Sequence, residues 1–305
     1  MSSSITVKQI PLEEEYKKPN GITPEDISKL RSWLQTQPHL PADHITDLDL
    51  ILAYNCCDRS AEVSKQLIDL HFTLKTLFTS YFQNRVVDDK VDRALNSLLV
   101  TPLPTRTKEG YAVLYANFLE KDAKNFHLGD VIKTVVMILD VWQYEEGSWP
   151  GFIILYDLKS LTLGHMAKFD LSNVSQYLYY LQNGLPANLR GVHYLNAPAY
   201  MDRFMTIIRP FLKASLMQLI HIHQAGATTL DSFFPIEKLP KESGGQFKEC
   251  KELKDEMIAK LHAAQPFFDE ETKKRVTESL RPGKPKTITD IFGGVEGSFK
   301  KLEVD

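Results

Sequence analysis

The chain has 305 residues, 43% of them apolar, and a formal net charge of −3. This composition excludes a globally disordered chain, and the small charge gives no overall attraction to nucleic acid or to an anionic membrane. Three cysteines, two of them adjacent at Cys56 and Cys57, cannot form a disulfide framework, which favours reduced thiols in a cytoplasmic protein. Residues 1–8 lack the apolar core of a signal peptide, and no stretch reaches the roughly 20 apolar residues that span a bilayer. We therefore expect a soluble, intracellular protein.

The first hundred residues have the pattern of a small helical domain. Four helices are predicted from capping residues and apolar periodicity. Their predicted starts are Thr23, Asp47, Ser60 and Val91. The last of them should cover residues 91–99. We expect this N-terminal domain to cover residues 1–100 and to end near 102–104, where two prolines occur.

Between residues 101 and 250, short apolar strands alternate with helices. The predicted strands cover residues 110–115, 151–157, 191–195 and 219–223, and the predicted helices cover 128–145, 172–183 and a segment from Ala199. Pro210 should interrupt the last helix. Strands separated by helices favour crossover connections. The sequence therefore predicts an α/β domain with a mostly parallel sheet over 101–250.

The last predicted segment, residues 251–305, combines a helix with an extended tail. Leu253, Met257 and Leu261 recur at helical spacing and give the helix one apolar face. Residues 281–286, RPGKPK, are expected to form an extended surface segment.

The α/β region is apolar on more than one face of its elements. Residues 151–157, GFIILYD, and the helix from Leu128 show this most clearly. Such a unit can enclose a bound apolar molecule in addition to its own core. Because no catalytic constellation accompanies it, the pattern favours a carrier of a hydrophobic small molecule.

Candidate catalytic and metal-binding groups are few. His221 and His223 lie on one face of a predicted strand, and His193 lies on another. Zinc requires three or four ligands in a fixed geometry, and no nearby Cys or paired acid completes the set, so we predict no metal. No nucleophile elbow and no Walker loop occurs, so we predict neither an enzyme nor a cofactor. Tyr177 and Tyr180 share a helical face. Two roles stay open for their hydroxyls: contact with the polar end of a ligand in an apolar pocket, or structural hydrogen bonds within the protein.

Four stretches resemble the CRAL-TRIO, or Sec14-like, lipid-binding family, in particular its α-tocopherol transfer and retinaldehyde-binding branch and the insect members of that branch. They are residues 30–40 (LRSWLQTQPHL), 190–198 (RGVHYLNAP), 209–212 (RPFL) and 239–245 (LPKESGG). Residues 281–286 and 294–302 (GVEGSFKKL) are also similar to insect members. The resemblance implies an N-terminal helical domain, a lipid domain with a deep pocket, and a helical gate that swings at a membrane.

The resemblance also implies particular site residues. The implied pocket residues are Tyr115, Ile132, Val135, Val136, Leu139, Phe152, Tyr156, Leu163, Phe169, Tyr177, Tyr180, Leu181, Leu185, Leu189, Val192, Ile208 and Leu212. The implied gate residues are Met201, Phe204, Met205, Ile208 and Leu212. Independent periodicity agrees in part, because Ile132, Val135, Val136 and Leu139 share one helical face.

The sequence departs from that branch in two places. Val135 and Leu139 stand where the branch carries serine, which predicts a drier pocket wall. Asn188, Ser215 and Leu219 stand where it carries basic residues that bind phosphoinositide headgroups. A smaller patch of Arg190, Arg209 and Lys213 remains as the candidate phosphoinositide site.

Two functions stay open at this stage. The first is intracellular binding and transfer, between membranes, of a tocopherol, retinoid, carotenoid or other isoprenoid-like lipid. The alternative is a regulatory or scaffold protein that binds a phospholipid or phosphoinositide. Either function implies a cytoplasmic protein with transient contact to a membrane surface, no nucleic acid partner, and no catalysis.

Overall fold

The computed structural model of the chain describes residues 5–292. Within that range six helices precede the first strand: α1 (Leu12–Tyr16), α2 (Pro24–Leu34), α3 (Asp47–Cys56), α4 (Ala61–Leu77), α5 (Thr79–Phe82) and α6 (Asp89–Ser97). The four predicted helices correspond to α2, α3, α4 and α6. Helices α2 and α3 begin at capping boxes formed by Thr23 with Asp26 and by Thr46 with Asp49. Periodicity does not predict α1 and α5, which are one turn or little more in length.

The described strands form one sheet in their order along the chain: β1 (Leu98–Leu103), β2 (Ala112–Phe118), β3 (Phe152–Asp157), β4 (Leu189–Ala197) and β5 (Ile220–Gln224). Strands β2 to β5 pair in parallel, and β1 pairs antiparallel with β2. The predicted α/β class and mostly parallel sheet are confirmed.

Edge strand β1 corrects the predicted end of one helix and includes part of the predicted domain junction. The helix predicted over 91–99 ends at Ser97, and the sheet begins at the next residue, Leu98. The junction predicted at 102–104 falls at the end of this strand. Pro102 fits there because an edge strand has one side without ladder hydrogen bonds.

Helices connect the parallel strands: α7 (Leu128–Glu146), α8 (Leu163–Met166), α9 (Leu171–Tyr179), α10 (Met201–Ile208) and α11 (Ala214–Met217). As predicted, the helix around Pro210 is interrupted, because α10 ends at Ile208 and a 3₁₀ turn follows. The helix predicted over 172–183 is α-helical only to Tyr179 and continues as a π-helical turn. At the end of that turn, the Gly184 carbonyl accepts a hydrogen bond from His71 Nδ1 at 2.7 Å. The change from α-helix to π-helical turn thus occurs where this segment lies close to α4.

Both faces of the sheet are buried at the central strands β2 and β3. Side chains alternate along β2, so that Leu114 and Ala116 face α7 while Val113 and Tyr115 face the opposite layer. The first face is covered by α7, α9 and α10. The second is covered by the segment around Phe234 and by α12 (Cys250–Ala263).

The C-terminal helices α12, α13 (Gln265–Glu271) and α14 (Ile288–Phe292) complete the described chain. The expectation of a surface segment over 281–286 is wrong at its first residue. Arg281 has a 5% exposed side chain and forms ion pairs with Asp69 at 2.7 Å and Glu278 at 2.6 Å. Residues 294–302, which carry part of the family resemblance, lie outside the described residues. None of the helices within 5–292 is long and apolar enough to cross a membrane.

Candidate ligand-binding site

A cavity of about 130 Å³ lies between the sheet and the helices α7, α9 and α10. Its wall consists of aliphatic and aromatic side chains. They are Leu98, Phe118, Phe126, Leu128, Val131, Ile132, Val135, Ile154, Tyr156, Leu158, Phe169, Val174, Tyr177, Leu178, Leu181, Val192, Tyr194, Phe204, Ile208, Leu212, Leu216 and Ile220. Among the described residues, no charged side chain and no side-chain amide lines this space. The cavity therefore suits an apolar guest, because buried unpaired charge is strongly unfavourable.

Among the described residues that line the cavity, three tyrosines are the only ones with a side-chain hydroxyl. Tyr156 on β3 and Tyr194 on β4 are register partners, and their rings stack with centroids 5.6 Å apart. The Tyr177 hydroxyl on α9 lies 3.4 Å from that of Tyr156. Burial raises the pKa of all three phenols, so each hydroxyl is neutral and able to donate a hydrogen bond at physiological pH.

The cavity gathers many of the predicted pocket residues. Those on its wall are Ile132, Val135, Tyr156, Phe169, Tyr177, Leu181, Val192, Ile208 and Leu212, together with Phe204 of the predicted gate. Val135, at one of the two positions with serine in the resembling branch, makes this wall apolar as expected.

Other predicted pocket residues lie elsewhere. Val136, Leu139 and Phe152 are buried in the surrounding core, and Leu163 is 49% exposed. Helix α7 and strand β3 border the cavity, but the side chains of Val136, Leu139 and Phe152 leave these elements in other directions, and no residue of α8, which carries Leu163, lines the cavity. Proximity along the chain is therefore not enough to bring a side chain to the wall.

Two predicted tyrosines point away from the cavity. Tyr115 faces the opposite layer of the sheet, where Asn117 Nδ2 donates to its hydroxyl at 2.7 Å. Tyr180 begins the π-helical turn, and its ring packs 5.2 Å from that of Phe82. The shared helical face predicted for Tyr177 and Tyr180 is wrong, since only Tyr177 lies on the wall.

Sequence analysis misses several wall residues that strand and helix periodicity could have found. Tyr194 is two residues beyond Val192 on β4, so the two side chains share a face. Leu128 and Val131 precede Ile132 and Val135 on α7 at helical spacing. The remaining wall residues that the prediction omits are Leu98, Phe118, Phe126, Ile154, Leu158, Val174, Leu178, Leu216 and Ile220.

Helix α10 covers the cavity with its apolar face. Met201, Phe204 and Met205 are buried, whereas Asp202 and Arg203 on the other face are exposed. Ile208 of this helix is buried as well, and both Phe204 and Ile208 line the cavity wall. The helix predicted to act as a gate therefore lies over the cavity.

The predicted phosphoinositide patch is divided between separate places. Lys213 lines a groove of about 660 Å³ between the N-terminal helices and the sheet domain. Arg190 lines a different depression, beside Lys18 and Arg59. Arg209 lines neither depression. The groove also holds residues predicted for the pocket, namely Leu181, Leu185 and Leu189.

The three histidines lie together on the sheet face opposite the cavity. His193 Nδ1 and His223 Nε2 are 3.1 Å apart, and the ring of His221 stacks on that of His193 with centroids 4.7 Å apart. Burial is the main cause that lowers the pKa of His193 to about 3, and the neighbouring imidazoles of His221 and His223 lower it further. Within the described part of the chain, no group of three or more His, Cys, Asp or Glu side chains is arranged to hold a metal ion.

Comparison with known proteins gives two domain matches. Residues 96–245 match the CRAL/TRIO domain, and residues 21–91 match the Pinta-like UBA domain. The second match covers α2 to α5 and the start of α6, and the first covers the whole sheet.

Several curated proteins are similar in sequence. Clavesin-1 of Xenopus laevis is 25% identical over 223 residues, which are 72% of this chain and 67% of that protein. Clavesin-2 of Homo sapiens is 26% identical over 187 residues, 57% of each chain. Alpha-tocopherol transfer protein-like of Mus musculus is 30% identical over 152 residues, which are 50% of this chain and 44% of that protein. The match thus spans 44% to 67% of the length of these relatives.

Among solved structures, the crystal structure of Sfh5 aligns over 94% of this chain and 97% of its own, with a TM-score of 0.47 and 12% identity. The domain matches and the sequence relatives carry the assignment. Residues 96–245 of the chain are a CRAL/TRIO domain, a domain known for binding lipids and other small hydrophobic molecules.

Proposed function

We propose that this protein binds a hydrophobic small molecule in the apolar cavity and transfers it between membranes. The ligand would be a tocopherol, retinoid, carotenoid or other isoprenoid-like lipid, and no chemical step would be involved. The observation that carries the proposal is a cavity wall without a charged or amide side chain among the described residues. Each CH₂ group moved from water to such a wall contributes about 0.8 kcal/mol, so a long chain binds with few polar contacts.

The size of the cavity requires that the protein opens for such a ligand. Its volume is about 130 Å³, close to the roughly 150 Å³ of an engineered cavity that holds benzene. An isoprenoid chain is several times larger. Side chains on the wall must therefore move, and those of α10 are the best placed because this helix covers the cavity as a single layer.

Movement of α10 would also supply the membrane contact. An outward swing would expose Met201, Phe204 and Met205, which are buried in the closed position. Methionine repacks readily against varied apolar surfaces, and phenylalanine brings a large apolar area to the acyl chains. The protein would then be cytoplasmic, with transient peripheral attachment to a membrane while the ligand passes.

One of the relatives bears the name alpha-tocopherol transfer protein-like, which supports a tocopherol within the proposed ligand class. A second candidate function is regulation or scaffolding through a bound phospholipid or phosphoinositide. The groove around Lys213 favours it, because Leu181 and Leu216 line both this groove and the cavity. A headgroup in the groove would lie next to an acyl chain in the cavity.

A vesicle assay tests the proposal and separates the two functions. Donor phosphatidylcholine vesicles carry fluorescent retinol, and acceptor vesicles carry a quencher. We expect the quenching rate to rise in proportion to protein concentration. Saturable binding of retinol without faster transfer would remove the shuttle function. A complex that forms only with phosphatidylinositol phosphate vesicles would favour the second function.

A further inference from the structure

Two adjacent cysteines lie in the groove between the N-terminal helices and the sheet domain. Cys56 is the last residue of α3, and Cys57 follows it as the C-cap of that helix. Both residues line the groove, and both are partly exposed. The third cysteine, Cys250, is buried at the start of α12. Reagents in solution can therefore reach the pair more readily than the third thiol.

The two thiols of the pair differ in how readily they lose a proton. The hydrogen bond between them is the main cause that lowers the pKa of Cys57. The same hydrogen bond is the main cause that raises the pKa of Cys56, and burial raises it further. Cys57 is therefore the first of the pair to form a thiolate, which is the nucleophilic form of cysteine. Burial raises the pKa of Cys250 to about 12, which keeps that thiol protonated.

The backbone around the pair suits a disulfide that forms and breaks again. Adjacent Cα atoms are about 3.8 Å apart, whereas most disulfides join Cα atoms that are roughly 4.4–6.8 Å apart. A bond between neighbours in the chain would therefore be readily reduced. Directly after Cys57, Asp58 and Arg59 have positive φ angles of 49° and 63°, so the helix has ended and the chain turns. The pair lies where the backbone can adjust without breaking a helix.

The lining of the groove indicates the kind of oxidant that reaches the pair. Among the described residues, Lys213 is the one charged residue on this lining. A neutral group carried on an apolar molecule fits such a surface better than an ion does. Most of the other lining residues are aliphatic, and they include Val63, Leu67, Leu70, Leu181, Leu185, Ala187, Leu189, Leu216 and Leu219.

We propose that Cys56 and Cys57 form a redox modification site that a hydroperoxide converts into a disulfide between the two residues. In the first step, the Cys57 thiolate attacks the outer oxygen of the hydroperoxide, and the O–O bond breaks. The alcohol leaves after taking a proton from water, and Cys57 becomes a sulfenic acid. In the second step, the Cys56 sulfur attacks the Cys57 sulfur, the S–O bond breaks, and water leaves with the Cys56 thiol proton. Overall, two thiols lose two electrons, and the hydroperoxide is reduced to an alcohol and water.

The modification goes beyond the proposed carrier function and does not depend on it. In the reduced protein, Cys56 Sγ lies 3.6 Å from Asn188 Oδ1 and 4.0 Å from the Leu185 carbonyl oxygen, both on the segment that leads into β4. Bond formation with Cys57 draws the Cys56 sulfur away from these atoms. Oxidation therefore alters a contact between the N-terminal helices and the sheet domain.

Peptide mass spectrometry of the full chain, without reduction, tests the proposal. The protein is exposed at pH 7 to cumene hydroperoxide or to hydrogen peroxide at equal concentration. We expect the peptide that contains residues 56–57 to lose the mass of two hydrogen atoms and to regain it with dithiothreitol. The apolar lining predicts a faster reaction with cumene hydroperoxide, which would identify a lipid hydroperoxide as the oxidant. An equal or faster reaction with hydrogen peroxide would identify free peroxide instead.

Serine variants separate the roles of the two thiols. In Cys56→Ser, the reaction should stop at the Cys57 sulfenic acid, which dimedone traps. In Cys57→Ser, oxidation of the remaining Cys56 thiol should be at least about tenfold slower than that of Cys57. Cys250→Ser is the matched control, and the disulfide should form in it at an unchanged rate.

Three results would overturn the proposal. The first is oxidation of Cys250 as fast as that of the pair. The second is a disulfide between two chains, or irreversible oxidation of Cys57, in place of the bond to Cys56. The third is faster oxidation of the thiol that remains in Cys57→Ser than of the one that remains in Cys56→Ser. Each of these results would leave the carrier function intact.

Discussion

The ring of Phe204 meets the ring of Tyr194 nearly edge-on, with 5.4 Å between centroids and 75° between the ring planes. On its other side Phe204 makes a similar contact with Phe169 at 5.9 Å. Phe204 belongs to α10, whereas Tyr194 belongs to the sheet. A residue of the covering helix thus occupies space inside the site, which couples the position of α10 to the volume available for a ligand.

This coupling predicts the effect of removing the ring. Phe204→Ala should lower the free energy of unfolding by about 3–5 kcal/mol, because a buried aromatic side chain is lost beside a space that is already empty. Urea denaturation measures the change, and Thr206→Ala, on the exposed face of the same helix, should stay within about 0.5 kcal/mol. A saturating apolar ligand should restore part of the loss in Phe204→Ala. A stability equal to that of Thr206→Ala would show that the ring is not packed inside the site.

The two buried methionines of α10, the helix that we propose as a gate, are predicted to act on transfer more than on affinity. Met201 and Met205 are buried but do not line the cavity. In Met201→Ser/Met205→Ser, the rate of retinol transfer between vesicles should fall about tenfold, because less apolar surface is available to enter the bilayer. The dissociation constant for retinol should change by less than about threefold.

Met166→Ser provides the comparison for these methionines, because Met166 is equally buried and belongs to a different helix. It should lower stability without slowing transfer. Similar transfer rates in the gate variant and in the Met166 variant would contradict a role for α10 at the membrane.

A buried ion network joins the helical domain to α7. Asp140 accepts from Arg85 and lies 3.1 Å from Lys75, and Lys75 also reaches Glu271 at 2.8 Å. Burial alone would raise the pKa of Asp140, but the charges of Lys75 and Arg85 outweigh it and lower this pKa. Asp140→Asn should cost about 3–5 kcal/mol of unfolding free energy, because two buried cations lose a counter-charge.

Glu25→Gln serves as the control for this network, because the Glu25–Lys29 pair is exposed. Its effect should be no more than about 0.5 kcal/mol. Equal stabilities of the two variants in urea denaturation would show that the buried network contributes no more than a surface pair.

The histidines predict how stability depends on pH. Burial lowers the pKa of His193 to about 3 and that of His71 to about 4, whereas an unfolded histidine titrates near 6.5. The unfolded chain therefore binds protons first as the pH falls. Stability should be full above about pH 6.5 and should decrease towards pH 4, by up to about 1.4 kcal/mol per pH unit for each such group.

Urea midpoints between pH 7 and pH 4.5 measure this slope. His193→Gln should make it shallower, while His44→Gln, at an exposed position, should leave it unchanged. A slope that is the same in the unmodified protein and in His193→Gln would contradict the burial of a neutral His193.

The sequence predicts the parts of the site that depend on local periodicity. Ile132 and Val135 recur at helical spacing, and Tyr156 and Val192 lie on apolar strands. All four side chains reach the cavity wall. The family resemblance adds Phe204, which local periodicity alone does not distinguish from an ordinary core residue.

The parts that fail depend on contacts between distant segments. Tyr115 faces the opposite layer because neighbouring strands decide which face of β2 meets α7. Tyr180 turns away where α9 changes to a π-helical turn beside α4. Arg281 is buried because Asp69, 212 residues away, pairs with it. Local composition does not predict any of these three relationships.

The most direct measurement of the central claim is lipid identification in the protein purified under native conditions from its own source. Solvent extraction and mass spectrometry should find about one molecule of a largely apolar compound per chain, and native mass spectrometry should show the same added mass. A protein that retains no such compound, and that takes up no hydrophobic molecule on exposure to lipid vesicles, would contradict the account.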